Sequence, residues 1–184
     1  MRLFTAIEIS AEVRNNLRAL LERLSPTAKL TKLNWTRLEN LHITTKFIGE
    51  WPEDRLEEMK RALLSVTSPG AIQVRIGGVG WFPNARNPRV LWAGVKADES
   101  LKSLARATEV AVHAVGVARE DREYSPHLTL ARIRERVPLD ALDKLRSVID
   151  SLEPAEFGSF VATEFCLYLS AAGKYTKLAQ FGST

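Results

Sequence analysis

Hydrophobic residues in this 184-residue chain follow two spacings in turn, and their order predicts alternating strands and helices. Short apolar runs are typical of strands, and apolar residues three and four positions apart are typical of amphipathic helices. The first half predicts five elements in the order strand, helix, strand, helix, strand, at about 3–9, 11–24, 42–48, 52–66 and 72–76. Ser25-Pro26 predicts a loop after the first helix.

The second half of the chain repeats this order, with predicted elements at about 90–95, 99–117, 127–130, 139–152 and 160–165. In both halves the third element opens with the tetrapeptide H-x-T-x, as His42-Ile43-Thr44-Thr45 and His127-Leu128-Thr129-Leu130. We therefore predict an internal duplication with halves near 1–85 and 86–184, and the prediction allows elements to be exchanged between the two lobes.

Turn residues between the fifth and sixth elements indicate a hairpin rather than a parallel crossover. Trp81-Phe82-Pro83-Asn84 and Asn87-Pro88 are turn signals, and the glycines of Gly77-Gly78-Val79-Gly80 are typical of a bulge. We predict an α+β fold, formed by a single bilobal domain with two largely antiparallel sheets that are flanked by helices and share a central cleft.

The repeated tetrapeptide is the strongest chemical signal in the chain, because it contains two of the three histidines. Residues i and i+2 of a strand share a face, so each motif presents an imidazole beside a hydroxyl. Imidazoles with a pKa near neutrality can donate or accept protons. Two such pairs on one ligand would suit metal-independent displacement at phosphorus, with His42, Thr44, His127 and Thr129 as the catalytic candidates.

Other readings of these residues are weaker. A single histidine in a strand is usually a satisfied structural residue, but two at matching points of a repeat require that explanation twice. The chain has no H-E-x-x-H, no C-x-x-C and no carboxylate two or four positions after either histidine, so we expect no metal. It also lacks a triphosphate-binding loop, and we expect no cofactor. His113 lies off the apolar stripe of its helix and is expected to be structural.

Charge favours an anionic ligand only slightly, with 26 Lys and Arg against 22 Asp and Glu. In a regular strand Lys46 would lie on the same face as His42 and Thr44. It could either bind the substrate there or be a solvated residue at the end of the strand. Arg132, Arg134 and Arg136 follow the second motif, where they could contact phosphate or form a basic edge. We take Lys46 and Arg132 as the substrate-binding candidates.

The expected cellular location follows from features that the sequence lacks. No apolar run approaches the length of a membrane span, and no secretory signal precedes the first strand. The one cysteine, Cys166, cannot form an internal disulfide and is expected in the core. We therefore expect a cytoplasmic protein without membrane association.

At these motifs the sequence resembles the 2H phosphoesterase superfamily, and more closely the RNA 2′,3′-cyclic phosphodiesterases, also called 2′-5′ RNA ligases. The likeness covers Arg2-Leu3-Phe4-Thr5-Ala6-Ile7, the stretch from Glu39 to Gly49, Pro126 to Arg132, and Leu167-Tyr168. Thr45 departs from the family, which usually has an apolar residue there. It faces away from His42, so the chemistry is unaffected. The sequence after Tyr168 matches less well.

The resemblance implies a bilobal fold and hydrolysis of RNA 2′,3′-cyclic phosphate to 2′-phosphate, with reversible, ATP-independent 2′-5′ joining as a side reaction. By the family pattern His42 is the proton donor and His127 the proton acceptor, although the motifs themselves are too alike to assign the roles. The implied partner is RNA with cyclic phosphate ends, tRNA fragments being one candidate source, and we expect a monomer.

Two alternatives stay open. A phosphodiesterase acting on another substrate of the superfamily, such as a 2′-5′ oligonucleotide, would use the same four residues. A non-catalytic module that binds RNA ends would keep the cleft without turnover.

Overall fold

The structure, a computed structural model, describes residues 1–31, 33–67, 70–133, 138–152 and 155–182. Arg134 and Arg136 lie outside these residues. Two short 3₁₀ helices occur at Leu38–Asn40 and Glu53–Arg55. The strands and helices are, in chain order, β1 (Arg2–Glu8), α1 (Ala11–Thr31), β2 (Asn34–Trp35), β3 (His42–Glu50), α2 (Leu56–Leu64), β4 (Ile72–Phe82), β5 (Val90–Ala97), α3 (Glu99–Ala114), β6 (His127–Arg132), α4 (Leu139–Asp150), β7 (Glu156–Ala162), β8 (Glu164–Ala171) and β9 (Lys174–Gly182).

The strands form two sheets, and every pairing is antiparallel. The first sheet has the strand order β3-β1-β8-β9, and the second has the order β2-β6-β5-β4-β7. The predicted α+β class with antiparallel sheets and flanking helices is confirmed. The predicted hairpin is the β4–β5 pair, and its register shifts between Ile76 and Val79, at the glycine-rich stretch.

The two sheets do not coincide with the two halves of the chain. β4 follows the first motif but pairs with β5 and β7 in the second sheet, whereas β8 and β9 return to the first sheet beside β1. In each sheet the motif strand is an immediate neighbour of the strand that opens its half: β3 pairs with β1, and β6 with β5. The repeat boundaries near 1–85 and 86–184 remain a prediction.

Helices cover the sheets through their apolar faces, as the spacing predicts. In α1 the face that packs against α4 and β7 is buried and consists of Val13, Leu17, Leu20 and Leu24. α3 packs against β3 and α2, and α2 also contacts β9. Most buried residues join into one core that includes both sheets, and Phe4, Ala6, Cys166 and Tyr168 form a second, smaller cluster.

Two local expectations were wrong. The first helix does not end at Ser25-Pro26 but continues through Pro26 to Thr31. The φ angle that proline fixes is close to the helical value, so the helix can continue past Pro26 at the cost of one backbone hydrogen bond and a crowded preceding turn. The final strand prediction at about 160–165 gave one strand where the chain forms β7, β8 and β9, so the β8–β9 hairpin was missed.

Candidate active site

Each motif histidine is the first residue of its strand, His42 of β3 and His127 of β6. Both side chains are half-buried, while the next residue in each motif, Ile43 or Leu128, is fully buried. The alternation therefore directs the histidine and the threonine of each motif away from the core. β3 and β6 belong to different sheets but contact each other.

The two imidazoles are oriented by the same kind of hydrogen bond. Nδ1 of His42 lies 2.6 Å from the carbonyl oxygen of Asn40, and Nδ1 of His127 lies 2.9 Å from that of Ser125. A carbonyl oxygen only accepts, so Nδ1 carries a proton in both rings. Nε2 is then a proton acceptor in the neutral ring and a proton donor in the cation, which leaves either role open to either histidine.

Both motifs end in the same backbone irregularity. In β3, Ala6 of β1 pairs with Thr44 and Thr5 with Lys46, so Thr45 is an extra, unpaired residue. In β6, Trp92 of β5 pairs with Thr129 and Leu91 with Ala131, so Leu130 is extra. Such a bulge reverses the alternation of faces for the residues that follow.

The bulges decide which residues after the motifs reach the histidine face. Phe47 and Arg132 are exposed, whereas Lys46 and Ala131 are buried. The predicted position of Lys46 on the face of His42 assumed an unbroken strand, and the bulge at Thr45 interrupts that strand. Lys46 still lines a cavity together with Thr44 and His127, so its contact with substrate stays a prediction. The Lys46 side chain is 6% exposed, and its Nζ lies 2.7 Å from Glu109 Oε2 and 3.2 Å from the Ala118 carbonyl oxygen.

A cavity of about 970 Å³ brings residues of the two motifs together. Thr44 and His127 both line it, and His42 adjoins Thr44, whose Oγ1 lies 3.0 Å from His42 Nε2. Thr129 is half-buried two residues after His127, and Arg132 lies at the end of the same strand. Further cavity walls come from α3, from the segment 119–125 and from the β4–β5 turn.

The electrostatics of His42 differ from those of a free imidazole. The pKa of His42 is lowered to about 4, chiefly because burial disfavours the charged ring. The hydrogen bond to Asn40 opposes this shift, while Coulombic interactions with Arg132 and His127 add to it. Arg132 and both histidines thus interact electrostatically, and His42 is neutral at pH 7 in the free protein.

Comparison with known proteins identifies the family. A family model described as LigT like phosphoesterase matches residues 7–92. An RNA 2′,3′-cyclic phosphodiesterase of Methanothermobacter thermautotrophicus is 33% identical over 188 residues, which cover 98% of each chain. Another, from Methanocaldococcus jannaschii, is 32% identical over 92% of this chain and 91% of that one. The chain belongs to the LigT-like phosphoesterases. The resemblance drawn from the motifs is confirmed, and this family is one of hydrolases.

Solved structures agree with the fold of this phosphoesterase. TT0787 of Thermus thermophilus is 30% identical, with a TM-score of 0.71 over 99% of this chain and 97% of that one. E. coli LigT complexed with 3′-AMP superposes with a TM-score of 0.74 at 24% identity, covering 100% of this chain and 98% of that one. The second likeness bears on the fold alone.

Aromatic residues around the histidines of this phosphoesterase were not predicted from the sequence. The ring of Phe4 lies 4.7 Å from that of His42, and the edge of Tyr175 meets His42 at 5.2 Å. Phe82 lies 5.1 Å from His127, edge to face. Tyr175 comes from the β8–β9 hairpin that the sequence did not reveal, whereas Phe4 could have been found from its place opposite β3 in the first sheet.

Within the described ranges, no three His, Cys, Asp or Glu side chains lie close enough together to hold a metal ion. None of the helices described is long and apolar enough to span a membrane. His113 lies outside the site, and its Nδ1 donates to the Val117 carbonyl oxygen, 2.9 Å away. Cys166 is buried in the core.

Proposed function

We propose that this phosphoesterase hydrolyses 2′,3′-cyclic phosphate ends of RNA to 2′-phosphates by acid–base catalysis between His42 and His127. The observation that carries the proposal is the cavity shared by Thr44 and His127, with His42 beside Thr44. Relatives that carry the name RNA 2′,3′-cyclic phosphodiesterase, at 32 and 33% identity over nearly the full chain, support the choice of substrate.

In the proposed reaction, water attacks phosphorus opposite the 3′-oxygen. His127 accepts a proton from the water as the new P–O bond forms, and His42 gives a proton to the 3′-oxygen as the P–O3′ bond breaks. The hydroxyls of Thr44 and Thr129 hydrogen-bond the non-bridging oxygens, where charge is held through the transition state. Each proton transfer contributes roughly 10²–10⁴-fold.

The proposed donor role requires that His42 be protonated when substrate is bound. Its pKa of about 4 in the free protein reflects burial first, with smaller contributions from Coulombic interactions with Arg132 and His127. A bound phosphodiester brings a negative charge next to the ring, and an opposite charge within about 4–6 Å favours the cation. In this proposal substrate binding therefore raises the pKa of His42, so that the ring becomes protonated and can donate. Arg132 supplies a further positive charge toward the phosphate.

The same chemistry accommodates joining. A 5′-hydroxyl that takes the place of water would attack the cyclic phosphate, release the 3′-oxygen and leave a 2′-5′ linkage, with no need for ATP. We propose that the protein acts on RNA ends, tRNA fragments among them, as a monomer that needs neither metal nor organic cofactor.

The test is product analysis after incubation with a nucleoside 2′,3′-cyclic phosphate and with a short RNA that carries the same end. The proposal expects only the 2′-phosphate, at a rate unchanged by excess chelator and without ATP. A faster rate on a 2′-5′ oligonucleotide would favour the alternative phosphodiesterase. Tight binding of RNA ends without any turnover would favour the binding module, and a rate lost to chelator and restored by one divalent ion would contradict the metal-free mechanism.

A further inference from the structure

One buried ion pair lies in the wall of the cavity and takes no part in the proposed proton transfers. Lys46 in β3 and Glu109 in α3 are separated by 2.7 Å, and their side chains are only 6% and 23% exposed. Both groups are also hydrogen-bonded to the segment that follows α3. Lys46 Nζ donates to the Ala118 carbonyl at 3.2 Å, and Glu109 Oε1 accepts from the Glu120 backbone N–H at 3.1 Å.

A second contact ties the same segment to the same strand. The hydroxyl of Tyr124 donates to the backbone carbonyl of Thr44 at 3.0 Å, and the Tyr124 side chain is half-buried. Tyr124 lies three residues before His127, and Thr44 lies two residues after His42. This hydrogen bond therefore joins the immediate surroundings of the two motif histidines, which belong to different sheets.

We propose that Lys46, Glu109 and Tyr124 are positioning residues, which fasten the segment 118–124 onto β3 and so fix His127 relative to His42. The inference rests on the proposed function, since it concerns the spacing of the two histidines. It also gives Lys46 a role other than the substrate contact first predicted for it. The ammonium has two protein acceptors within hydrogen-bond distance and little exposed surface.

Lys46, Glu109 and Tyr124 together form a clamp between the segment 118–124 and β3. The physical reason for such a clamp is that the two proton transfers occur on opposite sides of one phosphorus atom. The histidines reach that atom from separate sheets. A misplacement of about 1 Å in a catalytic group can cost about 100-fold in rate. At the position of β6 that corresponds to Lys46, the second motif has buried Ala131, so the ion pair belongs to the first motif alone.

Glu109→Gln separates a positioning role from a substrate-binding role, because the two roles predict changes in different kinetic constants. Removing a negative charge from the cavity wall should tighten binding of an anionic substrate if electrostatics alone matter. The clamp instead predicts a kcat lower by about 10- to 100-fold with KM changed less than twofold. Glu57→Gln is the matched control, since Glu57 pairs with Lys60 at 2.7 Å on the surface of α2 and neither residue lines the cavity. Its kcat should equal that of the wild type.

Burial of Lys46 without a partner would destabilise the fold, so a second variant keeps the test decisive. Lys46→Met with Glu109→Gln removes both charges, and replacing a buried ion pair in this way is often neutral for stability. The clamp predicts a thermal midpoint close to the wild-type value but a kcat as low as that of Glu109→Gln. A kcat that recovers together with stability would overturn the proposal.

Tyr124→Phe removes only the hydroxyl and should lower kcat without raising KM. A raised KM at unchanged kcat in this variant, or in Lys46→Met, would overturn the proposal in favour of substrate contact. Hydrogen exchange gives a readout independent of activity. Backbone amides of 118–124 should exchange about tenfold faster in the double variant, with those of β1 unchanged. Equal exchange would overturn the clamp, whereas a wild-type protein without turnover would count against the proposed function instead.

Discussion

Thr44 Oγ1 lies 3.0 Å from Nε2 of His42, and the direction of this hydrogen bond depends on the charge of the ring. Because Nδ1 already donates to Asn40, a neutral ring must accept at Nε2 from the Thr44 hydroxyl. A protonated ring donates to Oγ1 instead, which frees the hydroxyl proton for a phosphate oxygen. Protonation of His42 would thus turn the Thr44 hydroxyl proton toward the substrate, and the Nε2–H would have to leave Oγ1 to reach the 3′-oxygen.

We expect Thr44→Val to lower kcat about 100-fold, the usual loss for one donor to developing charge, as measured by steady-state hydrolysis of a cyclic phosphate. The control is Thr108→Val, since this buried hydroxyl donates to the Leu104 carbonyl oxygen within α3, 2.8 Å away, and Thr108 does not line the cavity. That variant should retain kcat. Equal losses in both variants would mean that the effect of Thr44 is only structural.

The imidazole of His42 should titrate far below the ordinary histidine range. Its pKa of about 4 in the free protein results mainly from burial, so histidine NMR should show a neutral ring down to about pH 5. A nucleoside 2′-phosphate, the expected product, should raise the pKa because it adds negative charge beside the ring. A midpoint near 6.5 in the free protein, or no change with the nucleotide, would count against substrate-dependent protonation.

The same pKa shift predicts how the free energy of unfolding depends on pH. Above about pH 6.5 the ring is neutral in both the folded and the unfolded chain, and His42 contributes nothing. Between about 6.5 and 4 the unfolded chain binds the proton more tightly, so stability falls as the pH is lowered. Denaturant unfolding of His42→Gln should show a shallower loss across this window, and parallel curves for the two proteins would contradict the assigned pKa.

The roles of the two histidines can be separated with an aryl phosphodiester. A 4-nitrophenolate leaving group needs no proton, so loss of the donor should matter little. We expect His42→Ala to lose at least about tenfold on a cyclic phosphate but to retain most of its rate on a nucleoside 4-nitrophenyl phosphodiester. His127→Ala should fail on both substrates, because water must still lose a proton. The reverse pattern would exchange the assignments.

Arg132→Met should weaken substrate binding and raise the pKa of His42 together. The positive charge of Arg132 lowers the pKa of His42 in the free protein, and charge-assisted bonds to phosphate contribute about 1.5–3 kcal/mol. We expect KM to rise about tenfold or more, and the NMR titration midpoint of His42 to move upward. A higher KM with an unchanged midpoint would place Arg132 away from the histidine.

Much of the fold follows from local patterns in the chain. Helices such as α3 and α4 and the strands that open with His42 and His127 were predictable, because apolar spacing and turn residues act within a few positions. The continuation of α1 through Pro26 was not, since Ser25-Pro26 is locally a signal for a loop and the helix nevertheless runs to Thr31. The β8–β9 hairpin is local, with Ala172 and Gly173 at its turn, but the place of β8 beside β1 depends on residues that are distant in the sequence.

The four motif residues could be chosen from the sequence, but their surroundings could not. Whether Lys46 or Phe47 shares the face of His42 depends on one extra residue, Thr45, and a bulge is a property of pairing with β1. Tyr124 lies in a segment without regular secondary structure, so no periodicity marks it. Tyr175 reaches His42 only after β9 has joined the first sheet.

β4 from the first half of the chain lies in the second sheet, and β8 from the second half lies in the first sheet. Neither sheet can therefore be completed from one half of the chain. A cut in the exposed β4–β5 turn would leave one fragment holding β1, β3 and β4 and another holding β5, β6 and β8, each with an unfilled strand position. We expect the two fragments to fold only when they associate, with His42 on one fragment and His127 on the other. This protein could therefore serve as a split reporter. Association of two tagged fragments would restore cleavage of a phosphodiester, and that activity would be the measured signal.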